Sequence, residues 1–123
     1  LRRRAQVVIL SDTFYEFAMP LMAQLGYPAL LCHRLDVADD RIVGYRLRQP
    51  DSKRAAVKAF HELNFRVVAA GDSYNDTAML SEAEAGILIN PPDNVVSDFP
   101  QFPVARSYDE LRESFRSALG ALD

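Results

Sequence analysis

Residues 67–80 read VVAAGDSYNDTAML: four apolar residues, a glycine, then Asp72, Ser73, Asn75 and Asp76 before apolar residues return. The run from Val67 to Ala70 is unbroken rather than alternating, the pattern of a strand covered on both faces in a parallel sheet. Gly71 permits a sharp bend, and the polar cluster then opens a helix through Met79, Leu80 and Ala83. Open α/β sheets bind ligands beyond the carboxyl ends of their strands, where helix N-termini also point. Polar groups crowded at such a junction therefore mark a candidate site.

Working outward, Val7 to Leu10 forms a second unbroken apolar run that stops at Ser11-Asp12. Thr13 and Glu16 have the spacing of a capping box, and Phe14, Phe17, Ala18, Leu21 and Leu25 recur at helical spacing. Pro20 predicts a kink or break in that helix, and Gly26 and Pro28 end it. Ala29 to Cys32 reads as a short strand, and residues 34–47 alternate around a polar Ala-Asp-Asp-Arg centre, which predicts a β-hairpin. From Ser52 a helix carries Ala56, Phe60 and Leu63 on one face, with Lys53 in its first turn. Ile87 to Ile89 reads as a buried strand, and Pro91, Pro92, Pro100 and Pro103 predict turns. Ser107 and Glu110 form a second capping-box pattern ahead of Leu111, Phe115, Ala118 and Leu122. Strands alternating with helices give an α/β fold, a doubly wound parallel sheet with an appended β-hairpin.

Composition narrows the class. The 123 residues suit one domain, and 49% hydrophobic with 25% charged residues excludes a disordered or collagenous chain. A net charge of -3 offers no basic field for nucleic acid, and Arg2 to Arg4 reads as a solvated helix end. Cys32 is the single cysteine, so no internal disulfide forms and a reducing, cytoplasmic setting is the default expectation. No apolar run approaches the roughly 20 residues that span a bilayer, so no membrane partner is expected.

Three polar clusters fall at predicted strand ends or helix starts: Ser11-Asp12-Thr13, Lys53, and Asp72 to Asp76. Helix-start amides, a small hydroxyl and an ammonium are what a phosphate group needs, because each gives its oxygens a donor or a positive charge. Taken singly, Ser11 and Thr13 read as helix caps and Lys53 as a solvated side chain. Asp72 and Asp76, four apart at one helix start, repel each other unless a cation or a lysine intervenes. Mg²⁺, a hard ion that takes oxygen ligands, suits Asp72, and Lys53 is placed to pair with Asp76. The plainer reading makes Asp72 and Asn75 turn and cap residues around Gly71.

In order, Ser11 after a strand, Lys53 opening a helix and "GDSYND" after another strand resemble the second, third and fourth motifs of the haloacid dehalogenase superfamily. The longer stretches "VVILSDTFYEF", "LLCHRL", "VGYRLRQPDSKR", "AAGDSYNDTAMLSEAEAGIL" and "FPQFP" resemble, within it, the bacterial phosphoserine phosphatases that also act as homoserine phosphotransferases. The resemblance implies a Rossmann-like core, Mg²⁺ as cofactor and a small phosphomonoester, phosphoserine, as substrate. It implies that Ser11, with the amides of Asp12 and Thr13, binds the phosphoryl group, and that Lys53 neutralises it. Asp72 would ligate the metal, Asn75 would orient the phosphate and Lys53, and Asp76 would hold Lys53. Such roles agree with phosphoryl transfer, which depends mainly on positioning and charge neutralisation.

The sequence departs from the family in one respect: the first motif, an Asp-x-Asp that supplies the nucleophile and the general acid/base, does not occur in it. Asp36, Asp39 and Asp40 do not replace it, because they fall in the hairpin turn. Arg2 to Gln6 reads as the tail of a helix running into a strand, so the 123 residues are expected to be one incomplete core domain, the carboxyl-terminal part of a longer phosphatase. The absent segment would carry the nucleophile strand and a helical cap, and the incomplete sheet would be open to pairing with that segment or with another copy. Two further readings compete: an inactive fragment acting as a phosphate-binding, Mg²⁺-binding or assembly module, and a phosphoacceptor receiver domain, for which neither Asp12 nor Asp72 is well placed. His33 and His61 lack ligand-spaced partners and read as structural, and Cys32 reads as a buried thiol. "FPQFP" reads as a rigid turn that packs Phe99 and Phe102.

Overall fold

A computed structural model of the chain describes residues 2–123. Its elements follow the order β1 (Val8–Phe14), α1 (Tyr15–Gln24), β2 (Ala29–Ala38), β3 (Arg41–Arg46), α2 (Ser52–Glu62), β4 (Val68–Gly71), α3 (Tyr74–Glu82), β5 (Ala85–Ile89), α4 (Asp93–Asp98), β6 (Val104–Ala105) and α5 (Tyr108–Leu122). The α/β alternation is as the sequence predicts. The described strands form two three-stranded sheets, β1-β2-β3 and β4-β5-β6, in two compact units that meet between Ser52 and Lys53 in the chain.

In the unit ending at Ser52, β1 and β2 pair in parallel through Val8 with Ala29, Ile9 with Leu30 and Leu10 with Leu31. The next partners are Phe14 and His33, so β1 advances four residues while β2 advances two. Ser11, Asp12 and Thr13 thus lie in a bulge within the strand and not, as the sequence suggests, at its end. The Thr13 amide donates to Ser11 Oγ at 3.2 Å, which closes the bulge locally. The capping box expected of Thr13 and Glu16 is absent: Phe14 occupies the N-cap, and the Glu16 carboxylate accepts from the Leu35 amide at 3.0 Å. The helix passes through Pro20 unbroken.

The face that α1 buries also differs from expectation. Ala18 and Met22 are buried, whereas Phe17, Leu21 and Leu25 are exposed. The two sets are offset by one residue, about 100° around a helix, so packing against β1 and β2 selects the narrower Ala-Met stripe. β2 runs on through Cys32 and forms the antiparallel hairpin with β3, whose turn residues Asp39 and Asp40 both have positive φ, 50° and 59°. That conformation belongs to the tight turns that join twisted strands. Asp36 is not in the turn; it lies in β2 and pairs with Arg46 at 2.9 Å. Arg2 to Ala5 form turns and a bend, not a helix tail, and the Arg2 guanidinium donates to the Leu25 carbonyl at 2.6 Å.

The unit from Lys53 onward holds all the fully buried large side chains among the described residues: Val57, Leu80, Ile87, Leu88 and Val95. Ala56 and Val57 form the buried face of α2, while Leu63, expected on that face, lies beyond the helix end and is 66% exposed. β4 and β5 pair in parallel from Val68 with Ala85 to Gly71 with Leu88, and β6 adds in parallel to β5. Gly86 is required by close packing, since a Cβ there would lie 2.8 Å from both the Cβ and the carbonyl oxygen of Leu80. The proline-rich region holds two elements the sequence did not disclose, α4 and β6. Phe99 and Phe102 stack at 6.0 Å beside α4, as expected of a rigid turn. Ser107 caps α5 by accepting from the Glu110 amide, but Glu110 reaches back to the amide of Arg106, one residue earlier than a capping box requires. α5 contacts β4, β5 and β6, yet none of its residues is fully buried.

Candidate active site

The junction of β4 and α3 carries a polar network centred on Asp76. Ser73 is the N-cap of α3 and forms a capping box with Asp76. Asp76 Oδ2 accepts from the amides of Asp72 at 2.9 Å and Ser73 at 3.3 Å. Its other oxygen, Oδ1, accepts from Lys53 Nζ at 2.7 Å. Only 8% of the Asp76 side chain and 15% of the Lys53 side chain are exposed. Burial pushes the Asp76 carboxyl up, but Lys53 and the two amides outweigh it and hold the group below its ordinary value. The result is a pre-formed, nearly water-free ion pair at the first turns of α2 and α3.

Gly71 makes this geometry attainable. A Cβ at that position would lie 2.4 Å from Asp76 Cβ and 2.6 Å from Asp76 Oδ2. Glycine is therefore needed for the close approach of the strand end to the carboxylate. Around the pair, Asp72 and Asn75 are exposed in the same turn. The Tyr74 hydroxyl donates to the Asp98 carboxylate, and its ring meets Phe99 edge-on at 5.8 Å. Among the described residues no group of three His, Cys, Asp or Glu side chains is arranged to hold a metal. Asp72 contributes one exposed carboxylate, and a magnesium site needs only one or two of these alongside water and phosphate oxygens.

In the other unit, Ser11 and Thr13 are half-buried in the β1 bulge and Asp12 is exposed between them. Asp12 Oδ1 lies 3.5 Å from the hydroxyl of Ser52, which donates to it, and 3.6 Å from His33 Nε2. Sequence reasoning set His33 aside, yet the ring is buried, with 6% of the residue exposed. Its other nitrogen, Nδ1, accepts the Arg48 amide at 2.9 Å. The signal was the register of a parallel pair: β2 returns a histidine opposite Phe14, two residues past Asp12. Cys32 is half-buried, and burial raises its thiol pKa, in keeping with a structural thiol. His61 is a surface partner of Glu84 at 3.0 Å.

The structure thus brings Lys53, Asp72, Asn75 and Asp76 together within one unit and Ser11, Asp12 and Thr13 together within the other.

A sequence model described as haloacid dehalogenase-like hydrolase matches residues 1–81. The chain is 63% identical over 119 residues to a protein of Pseudomonas aeruginosa named phosphoserine phosphatase ThrH, with 96% of this chain and 58% of that protein covered. It is 62% identical to a phosphoserine phosphatase of Pseudomonas syringae pv. tomato, covering 50% of it. The chain therefore spans about half the length of the curated relatives it matches. Among solved structures, a phosphoserine phosphatase in apo form aligns over 91% of this chain and 60% of its own with TM-score 0.75 at 18% identity, a likeness of fold. A phosphoserine phosphatase from T. onnurineus aligns over 90% of this chain and 51% of its own, with TM-score 0.70 and 28% identity.

Proposed function

The chain belongs to the haloacid dehalogenase-like hydrolase family, and we propose that it is the phosphate-binding part of a Mg²⁺-dependent phosphoserine phosphatase that works through an aspartyl-phosphate. The observation that carries this reading is the buried Lys53–Asp76 pair, fixed by two backbone amides and a glycine. An ammonium held in a site that excludes water neutralises a phosphate dianion far more effectively than a solvated one. The two relatives named above as phosphoserine phosphatases direct the choice of substrate. Transfer of the phosphoryl group to homoserine and a cytoplasmic setting belong to the same reading.

In this scheme the Lys53 ammonium neutralises the phosphoryl group while Asp76 fixes its direction. Ser11, with the amides of Asp12 and Thr13, would bind the phosphoryl group. Asn75, exposed in the first turn of α3, orients the phosphate. Asp72 holds Mg²⁺, which supplies charge neutralisation when bound. The nucleophile and the general acid/base are aspartates of an Asp-x-Asp motif outside this chain, so the 123 residues act as one incomplete core.

The test is phosphate release from phosphoserine by the complete gene product, with Asp72→Asn as control. A rate that falls at least a hundredfold in the control supports the reading; equal rates end it. A second reading is favoured by one fact: no Asp-x-Asp occurs in the 123 residues. As an isolated polypeptide they would bind phosphate or Mg²⁺, or join a partner segment or another copy, without turnover.

A further inference from the structure

In the unit ending at Ser52, two polar side chains that the phosphatase scheme leaves unused, His33 and Ser52, converge on Asp12. His33 is buried, Ser52 is buried, and the Arg48 guanidinium donates to the Ser52 carbonyl at 3.4 Å. The Arg48 amide donates to His33 Nδ1 at 2.9 Å, so that nitrogen carries a lone pair and the ring proton resides on Nε2. Nε2–H faces Asp12 Oδ1 at 3.6 Å, a reach that is electrostatic at this length and becomes a hydrogen bond with a small side-chain shift. The Ser52 hydroxyl approaches the same oxygen at 3.5 Å. Phe14 covers the ring, 6.3 Å away centroid to centroid.

We propose that His33 is a positioning residue: through its Nε2–H it draws the Asp12 carboxylate toward Ser52 and so fixes the bulged Ser11–Asp12–Thr13 segment. The bulge leaves β1 with two residues more than β2 over this stretch, so pairing alone does not hold it. A carboxylate in its middle, tied to a buried ring on β2 and to the first residue of α2, supplies what the ladder lacks. The logic is that of a base oriented by a third group, here used to set backbone position rather than to move a proton. The inference rests on the reading of Ser11 to Thr13 as a phosphate-binding segment.

The experiment uses the complete gene product and two side chains that split the ring's roles. His33→Asn keeps an acceptor for the Arg48 amide but falls short of Asp12, and His33→Gln places an amide N–H near the Nε2 position. His33→Asn is expected to lower kcat/KM for phosphoserine about three- to tenfold, mainly through KM, the scale of one modest hydrogen bond. His33→Gln is expected to restore most of it, and in an Asp12→Asn background the His33→Asn effect should vanish. An undiminished loss in that background, or wild-type kinetics for His33→Asn, overturns the proposal. A proton–nitrogen correlation spectrum of the histidine rings reads the same point without turnover, and so holds even if the protein releases no phosphate. The His33 ring should be the Nε2–H tautomer with shifts that move in Asp12→Asn; an Nδ1–H ring, or one indifferent to Asp12, overturns it.

Discussion

Lys53 Nζ and Asp76 Oδ1 lie 2.7 Å apart with little of either side chain exposed. The lysine opens α2 and the aspartate stands in the first turn of α3, so a single contact joins the helices that follow the unit boundary and β4. Removing one partner leaves the other charged and buried. Asp76→Ala is expected to destabilise the protein by about 3–5 kcal/mol, whereas the double variant Lys53→Met, Asp76→Leu recovers much of that loss, both read by urea unfolding. On the proposed function, neither variant releases phosphate from phosphoserine.

The pair also sets an acid limit. The folded-state pKa of Asp76 lies below its ordinary value of 3.8, so its contribution to stability is complete above that value. It is lost as pH falls through the depressed folded value. Glu84, also held low as the Val67 amide and His61 outweigh burial, acts in the same direction below its ordinary 4.5. Unfolding midpoints measured between pH 6 and pH 2 should fall below about pH 4. In Asp76→Asn that fall should be shallower.

Gly71 has no room for a side chain. Its absent side chain makes room for Asp76 at 2.4 Å, and Gly71→Ala must push the carboxylate away from Lys53. The expected cost is about 1–3 kcal/mol, the range for overpacking, seen as a lower thermal midpoint.

Asp72 should separate stability from chemistry. Its side chain is exposed and its amide, not its carboxylate, belongs to the capping network. Asp72→Asn is expected to leave the unfolding free energy within about 0.5 kcal/mol of wild type. Phosphate release, if Asp72 holds the metal, should fall steeply and require more Mg²⁺; a titration of rate against Mg²⁺ checks this.

Tyr74 offers a graded test of the packing beside the turn. Tyr74→Phe removes the hydroxyl that donates to Asp98 but keeps the edge contact with Phe99. A loss of about 0.5–1 kcal/mol is expected, and Tyr74→Ala should add a further loss of about 0.5–1.5 kcal/mol from the aromatic pair, measured by thermal denaturation.

Much of this was legible in the residues. The unbroken run before Gly71, the Asp72–Asp76 spacing and Lys53 at a helix start led directly to β4, α3 and the ion pair. The hairpin was equally readable because its alternation and its Asp39-Asp40 turn are local signals. What was missed depends on partners distant in sequence. The Ser11–Thr13 bulge arises from register against β2, the choice of Ala18 and Met22 over Phe17 and Leu21 arises from packing, and His33 gains meaning only through Asp12 and Arg48. α4 and β6 were hidden by prolines that mark turns on both sides of them.

The covering of α5 by the sheet is shallow along its whole length, since none of its fifteen residues is fully buried. Its amides should therefore trade hydrogen for deuterium well before those of Ile87 and Leu88 in β5, which sit at 1% and 0% exposure. The final helix should come away first on heating, before strand β5 lets go.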